Sequence, residues 1–331
     1  MSKTTTTLPP LHTVLTPTLS IAYHDTNPDA TSDTTSAPPI ILLHGFPYTA
    51  HQYARTTAHL LNADPSLRII IPYLRGYHPT RYLRPTTLRS GQQAVLAHDL
   101  LQFMDALSLE NAILAGYDWG GRAACIVAAL QPERVAGLVS CGGYAIQDVA
   151  KDAVAVPSSV SGASGSVEAL RKLWYQFYFN TPQGETGLRE NRGAICRFLW
   201  ETWSPDWRFT EDEWAESLEV FEGAGEDFVR TVIHSYRVRY DNVPGDDDPT
   251  VQEWERKCAE RPKVKVPTVN FMGKSDGVRA FEAEDKGRDM FTGWYERVDL
   301  DAVGHCPPAE APKEFADGIL KLLDVMLGRD G

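Results

Sequence analysis

The stretch Ala112-Ile113-Leu114-Ala115-Gly116-Tyr117-Asp118-Trp119-Gly120-Gly121 decides the fold. Residues 112–115 are a short apolar run that suits a strand buried on both faces, and 119–130 carry a helical pattern. Between them, Gly116 and Gly120 flank Asp118 at two residues' distance on either side. Small residues at those places permit a sharp strand-to-helix turn, which lifts the central side chain above the edge of a sheet. Serine is the usual occupant of such a turn, and here it is aspartate. Aspartate is also a good helix N-cap, so these five residues do not by themselves separate a nucleophile from a cap. The rest of the chain does.

Outward from this point, strands and helices alternate. Residues 67–73 (LRIIIPY) and 135–140 (VAGLVS) read as buried strands, and Ser90 caps a helix running to about Leu107. Alternation of this kind means a mostly parallel sheet with helices on both faces. It stops after about Tyr144. A loop rich in Ser, Ala, Gly and Val over 152–166 leads into a helix-only stretch: 167–180, 186–203, a third helix opened by a capping box of Thr210 and Glu213, and 228–240. An acidic, turn-rich break follows at 242–249 (NVPGDDDP). Strand character returns at 264–273 and 295–300, and 312–326 form an amphipathic helix. The expected organisation is an α/β core over 1–144 with a flexible 1–10, a helical cap over 145–262, and the rest of the core over 263–331. Ligands bind beyond the carboxyl ends of parallel strands, so the insert should cover that edge.

Composition narrows the partners. The 331 residues are 43% hydrophobic and 23% charged, and the net charge of −12 disfavours nucleic acid and anionic membrane surfaces. The five cysteines are odd in number and widely spaced with no CxxC pair, which argues against a zinc site or a disulfide framework. Reduced thiols and a cytoplasmic location are expected. No apolar run approaches the ~20 residues of a membrane span. The Thr-rich start does not read as a signal peptide, nor Arg329-Asp330-Gly331 as a peroxisomal address.

Three further motifs complete a catalytic set. Leu42-Leu43-His44-Gly45-Phe46-Pro47 is a strand running into a loop whose Phe46 N–H suits one half of an oxyanion hole, with the N–H of Trp119 as the other. His44 itself reads as structural. In Gly273-Lys274-Ser275-Asp276-Gly277, Asp276 stands where an acid would orient a histidine, with Asp148 as the alternative. In Gly304-His305-Cys306-Pro307, His305 is the only one of nine histidines that combines a post-strand loop, a preceding glycine and the chain order nucleophile, acid, histidine.

Taken in order, HGFP, GYDWGG, GKSDG and GHCPPAEAP make residues 38–327 resemble the α/β-hydrolase superfamily, and within it the epoxide hydrolases. A carboxylate nucleophile suits attack at a saturated carbon, giving an alkyl ester of Asp118 that water activated by His305 then hydrolyses. Neither a metal nor an organic cofactor is needed. The resemblance also implies two cap tyrosines that bind and protonate the epoxide oxygen. WYQFYFNTP is similar to the first such motif, with Tyr175 in the functional place, and HSYR to the second, with Tyr236. Haloalkane dehalogenases of this fold place asparagine where Phe46 stands, and fluoroacetate-type dehalogenases place histidine and tryptophan where Tyr175 and Gln176 stand. The expectation is therefore an epoxide hydrolase for a small substrate, apolar if Trp200, Trp203, Trp207 and Trp214 line its pocket. A dehalogenase of the same fold is the alternative, and a non-hydrolytic member of the fold a lesser one. Nothing in the sequence speaks to oligomeric state.

Overall fold

The computed structural model describes residues 7–30, 37–147 and 170–329. Among them the strands are β1 (Leu11–Leu15), β2 (Leu19–Asp25), β3 (Ile40–Leu43), β4 (Ile69–Pro72), β5 (Arg81–Tyr82), β6 (Ala112–Gly116), β7 (Val135–Cys141), β8 (Thr268–Gly273) and β9 (Tyr295–Leu300). They form one sheet in the order β1-β2-β4-β3-β6-β7-β8-β9, with β5 paired to β2. The pairs from β4 through β9 are parallel, and those made by β2 are antiparallel. The inner strands β3, β4 and β6 are buried along their whole length, as strands covered on both faces must be.

Helices α1 (Ala54–Ala63) and α11 (Pro312–Met326) pack together on one face, α2 (Gln93–Ala106) and α3 (Asp118–Leu130) on the other. Between β7 and β8 the described elements are helical: α4 (Trp174–Tyr178), α5 (Pro182–Glu190), α6 (Arg192–Trp203), α7 (Glu211–Ala224), α8 (Glu226–Arg239) and α9 (Pro249–Ala259). This second layer rests on the loops at the carboxyl ends of the strands. The Trp200 indole N–H donates to the Pro47 carbonyl at 2.7 Å, and the Ser235 hydroxyl to that of Gly91 at 3.0 Å.

Several boundaries differ from the sequence reading. Residues 186–203 form two helices, because Asn191 leaves helical geometry (φ −126°, ψ 34°) between them. Thr181 caps the first, with Pro182 at its opening position. Ser90 does not cap α2: its hydroxyl accepts from the Gln92 N–H, shaping the turn before the helix. The capping box of Thr210 and Glu213 is present. The stretch 152–166 and Asp148 lie outside the described residues, and of 167–180 only 170 onward is described. Helix α9, capped by Asp248, and the strands β1 and β2 had no counterpart in that reading. β1 alternates exposed and half-buried residues at the sheet edge. Residues 7–10, read as flexible, are tied to β2: His24 Nδ1 lies 2.7 Å from the Pro9 carbonyl. The five cysteines are unbridged, and burial pushes every thiol up, that of Cys125 to about 11. No helix among the described residues is long and apolar enough to cross a membrane.

The turn after β6 depends on a very close approach of backbone segments. A Cβ on Gly116 would lie 2.7 Å from the carbonyl carbon of Gly120, where no flexible side chain can give way. Gly116→Ala is therefore expected to cost about 1–3 kcal/mol of stability. Thermal unfolding followed by circular dichroism should show a Tm lowered by several degrees, and an unchanged Tm would mean that the turn tolerates a side chain there.

Candidate active site

The register places four strand ends side by side. Leu43 at the end of β3 faces Gly116 at the end of β6, and Gly273 at the end of β8 faces Leu300 at the end of β9. The chain winds from β3 outward to β4 and then returns to the other side of β3 for β6, so β3 and β6 form a switch point, where such sheets open a crevice. The loops after these strands carry Phe46, Asp118, Asp276 and His305.

Asp118 has φ of 48°, in the left-handed region that a non-glycine residue enters only at a cost. The strained turn aims its carboxylate out of the sheet. The Phe46 N–H donates to Oδ1 at 2.8 Å. A Cβ on Gly45 would sit 2.6 Å from that oxygen, so glycine is what lets the β3 loop approach. Trp119 is fully buried and stacks on Phe46, with rings 5.6 Å apart, and its N–H makes no hydrogen bond to the carboxylate.

His305 Nδ1 lies 3.0 and 3.2 Å from the two oxygens of Asp276, whose Oδ1 also accepts from the N–H groups of Val278 and Arg279. The acid thus fixes Nδ1 as the protonated nitrogen. Nε2 faces Asp118 Oδ2 at 3.6 Å and has no hydrogen-bond partner among the described residues. Arg122, one turn along α3, brings its guanidinium to 4.0 Å from the same oxygen. Burial acts to raise the pKa of Asp118, but the His305 imidazole and Arg122 outweigh it and hold the carboxyl down to about 2. For His305, burial opposes the charged form, yet the carboxylates of Asp276 and Asp118 push it up to about 10. At neutral pH the resting site is an ion triad. His44 is structural: its Nε2 accepts the Leu74 N–H at 3.1 Å, and burial lowers its pKa to about 4.

Tyr175 on α4 and Tyr236 on α8 come together despite their separation in sequence, with rings 5.5 Å apart and perpendicular. The Tyr236 ring lies 5.8 Å from that of Phe46 and 6.4 Å from that of Trp119. Of the four tryptophans, Trp200, Trp207 and Trp214 pack on one another, whereas Trp203 touches Tyr175 and His305. Three of the four thus pack within the cap and at its seam with the α/β core, where Trp200 stacks on Tyr48. Asp118, His305 and Tyr175 open on a cavity of about 660 Å³.

Two supporting networks escaped the sequence reading. The Tyr240 hydroxyl donates to Gln176 Oε1 at 2.8 Å, and the Gln176 amide donates to the Tyr175 oxygen at 3.1 Å, leaving the Tyr175 proton free to point elsewhere. Glu310, inside GHCPPAEAP, accepts from the N–H groups on both sides of His305, Gly304 at 2.6 Å and Cys306 at 2.8 Å. It also accepts from Ser204, whose oxygen takes the His305 N–H at 3.0 Å.

With the site described, the relatives fall into place. Residues 38–278 match the family model of the α/β hydrolase fold. The chain belongs to that family. It is an epoxide hydrolase-like α/β hydrolase. A Klebsiella pneumoniae protein assigned provisionally as an epoxide hydrolase is 37% identical, with 94% of this chain and 96% of that one covered and a TM-score of 0.84. Epoxide hydrolase A of Mycobacterium tuberculosis is 26% identical over 87% of this α/β hydrolase and 90% of its own length. A haloalkane dehalogenase variant from Bradyrhizobium elkanii covers 97% of this chain and 98% of its own at 20% identity and a TM-score of 0.74, which speaks for the shared fold alone.

The Glu310 brace has a measurable consequence. Glu310→Ala frees the loop that holds His305, and a displacement near 1 Å at a reacting group costs about 10²-fold in rate. The expected result is a kcat lowered by about ten- to a hundredfold with KM little changed. Steady-state kinetics on any substrate turned over would show it, and an unaltered kcat would make the brace dispensable.

Proposed function

We propose that this α/β hydrolase opens an epoxide to a vicinal diol through an alkyl ester on Asp118. The observation that carries the reading is the pair of buried phenols of Tyr175 and Tyr236, facing each other beside the two residues that flank the Asp118 carboxylate. In this reading Asp118 Oδ2, the oxygen not bound by Phe46, attacks a ring carbon. The C–O bond breaks and the departing oxygen takes a proton from the tyrosine pair. Burial pushes both phenols up, Tyr175 to about 12, so at neutral pH they arrive protonated. Arg239, with its guanidinium 4.9 Å from the Tyr236 ring, offsets the negative charge left after donation.

In the second step His305 Nε2 removes a proton from water, which attacks the carbonyl carbon of the ester. Negative charge gathers on Oδ1, where the Phe46 N–H already points. Collapse expels the diol alkoxide, which the imidazolium protonates, and Asp118 keeps an oxygen from water. Forming the ester erases the charge of Asp118, one of the two carboxylates that hold His305 protonated. The pKa of His305 then falls, and the base becomes available when it is needed.

Carbon–halogen cleavage is the second reading. It draws support from the Trp119 indole N–H, buried without a hydrogen-bond partner among the described residues and so suited to solvating a departing halide. Halide release from a haloalkane and haloacid panel, without diol formation from epoxides, would place it first.

Three outcomes test the epoxide reading. His305→Gln should accumulate an adduct on the Asp118 peptide, visible by mass spectrometry, while the parent enzyme does not. A variant that turns over epoxides without any adduct would exclude the covalent route. Decay of the ester in the parent enzyme should speed up as pH rises through the pKa of His305 in the ester, since only neutral imidazole takes a proton. That midpoint should lie below the one found for His305 in the free enzyme by NMR, and a decay that slows with rising pH would contradict the assignment. Tyr175→Phe/Tyr236→Phe should lower the alkylation rate in stopped flow by about two to three orders of magnitude, and each single variant by much less.

A further inference from the structure

Among the described residues the buried and largely buried arginines are of two kinds. Arg75 holds Asp99 through two short hydrogen bonds, Arg68 holds Asp25 at 2.9 Å, and Arg192 binds Glu222 and two carbonyls. Arg122 and Arg239 are held by nothing comparable. Arg239, at the end of α8, is 5% exposed and makes no ion pair or hydrogen bond with any described residue; its guanidinium lies over the face of Tyr236. The nearest carboxylate to Arg122 is Asp118, at 4.0 Å and outside hydrogen-bond range. Burial and the like charge of Arg239 lower the Arg122 pKa to about 10.

Their position explains what such a pair is for. The active-site cavity of about 660 Å³ and a second cavity of about 440 Å³ share Arg122, Arg239 and Gln147, so the two guanidiniums form a collar where the cavities meet. Two acids line the second cavity: Glu255 is already engaged by the Gln93 amide and the Ala94 N–H, each at 3.2 Å, and Asp241 forms no ion pair with either arginine. Around the Asp118 carboxylate three cations, Arg122, Arg239 and His305, stand against two carboxylates, Asp118 and Asp276, and the rest of the cavity wall adds five basic residues and three acidic ones. A cavity with surplus positive charge and unfilled guanidinium donors is built for an anion, and planar guanidinium matches carboxylate.

We propose that the substrate is an epoxide bearing a carboxylate on the ring, as in the glycidic acids, or one carbon removed from it, and that Arg122 and Arg239 bind this carboxylate. The short spacer follows from geometry. Arg122 lies 4.0 Å from the attacking oxygen, and a carbon poised for attack sits about 3–3.5 Å from that oxygen, which leaves room for one or two bonds between them. The proposal rests on the epoxide reading for its chemistry, but the anion site stands on the arginines alone. It replaces the apolar substrate suggested by the tryptophans, most of which turn away from the cavity.

The test pairs a charged probe with a neutral one of the same shape. With 3-phenylglycidate and its amide, the parent enzyme should favour the carboxylate by about a hundredfold in kcat/KM, and Arg239→Met should shrink that ratio by at least tenfold, with Arg239→Lys between. The ratio cancels any general effect of the substitution on Tyr236. A parent ratio near one, or a ratio untouched in Arg239→Met, overturns the proposal. Cinnamate and cinnamamide, which lack the epoxide, are measured alongside by calorimetry on the parent enzyme. Cinnamate binding at least tenfold tighter than the amide supports the anion site even if neither epoxide is opened, in which case the epoxide reading alone fails. Equal binding of the two overturns the site whatever the chemistry.

Discussion

Keeping an ionised carboxylate out of water is the constraint around which this structure is arranged. Asp118 is largely withdrawn from solvent, and burial by itself pushes its carboxyl pKa up. Each of its neighbours answers that penalty from a different part of the chain: a backbone N–H from the β3 loop, an imidazole from the β9 loop, and a guanidinium from its own helix. The parallel sheet allows this convergence, because the strand ends that carry these groups lie along one edge. The left-handed turn at Asp118 then points the carboxylate at them. A carboxylate so held has one oxygen bound tightly and the other only loosely, which is what the proposed attack requires.

Much of this was legible in the sequence, and for stated reasons. Parallel strands buried on both faces leave unbroken apolar runs, and a tight turn must use small residues, so the core and Asp118, Phe46, Asp276 and His305 could all be placed by motif and order. The cap was legible as helix but poorly divided. Asn191 breaks a run of otherwise helix-forming residues by a local dihedral choice that periodicity does not register. Strand β1 escaped because an edge strand that alternates exposed and half-buried residues carries little apolar signal. Ser204 and the pairing of Arg122 with Arg239 escaped for a different reason: contacts between distant segments leave no spacing to read.

Global and local electrostatics point in opposite directions here. The net charge of −12 describes a surface that repels polyanions. The crevice is governed by the charges on its own wall, among which basic residues outnumber acidic ones. A whole-chain charge can exclude nucleic acid while saying nothing about the sign of a small ligand.

The cysteines acquire meaning in the same light. A protein that admits strained electrophilic rings into its interior risks alkylating itself, and thiolate is the nucleophile such rings seek first. Cys141, at the end of β7, even lines the active-site cavity. Burial keeps its thiol, like the other four, protonated far above neutral pH. Desolvation, helped at Cys141 by the Asp276 carboxylate, thereby silences the bystander sulfurs, and in the proposed mechanism modification falls on a carboxylate from which water can remove it.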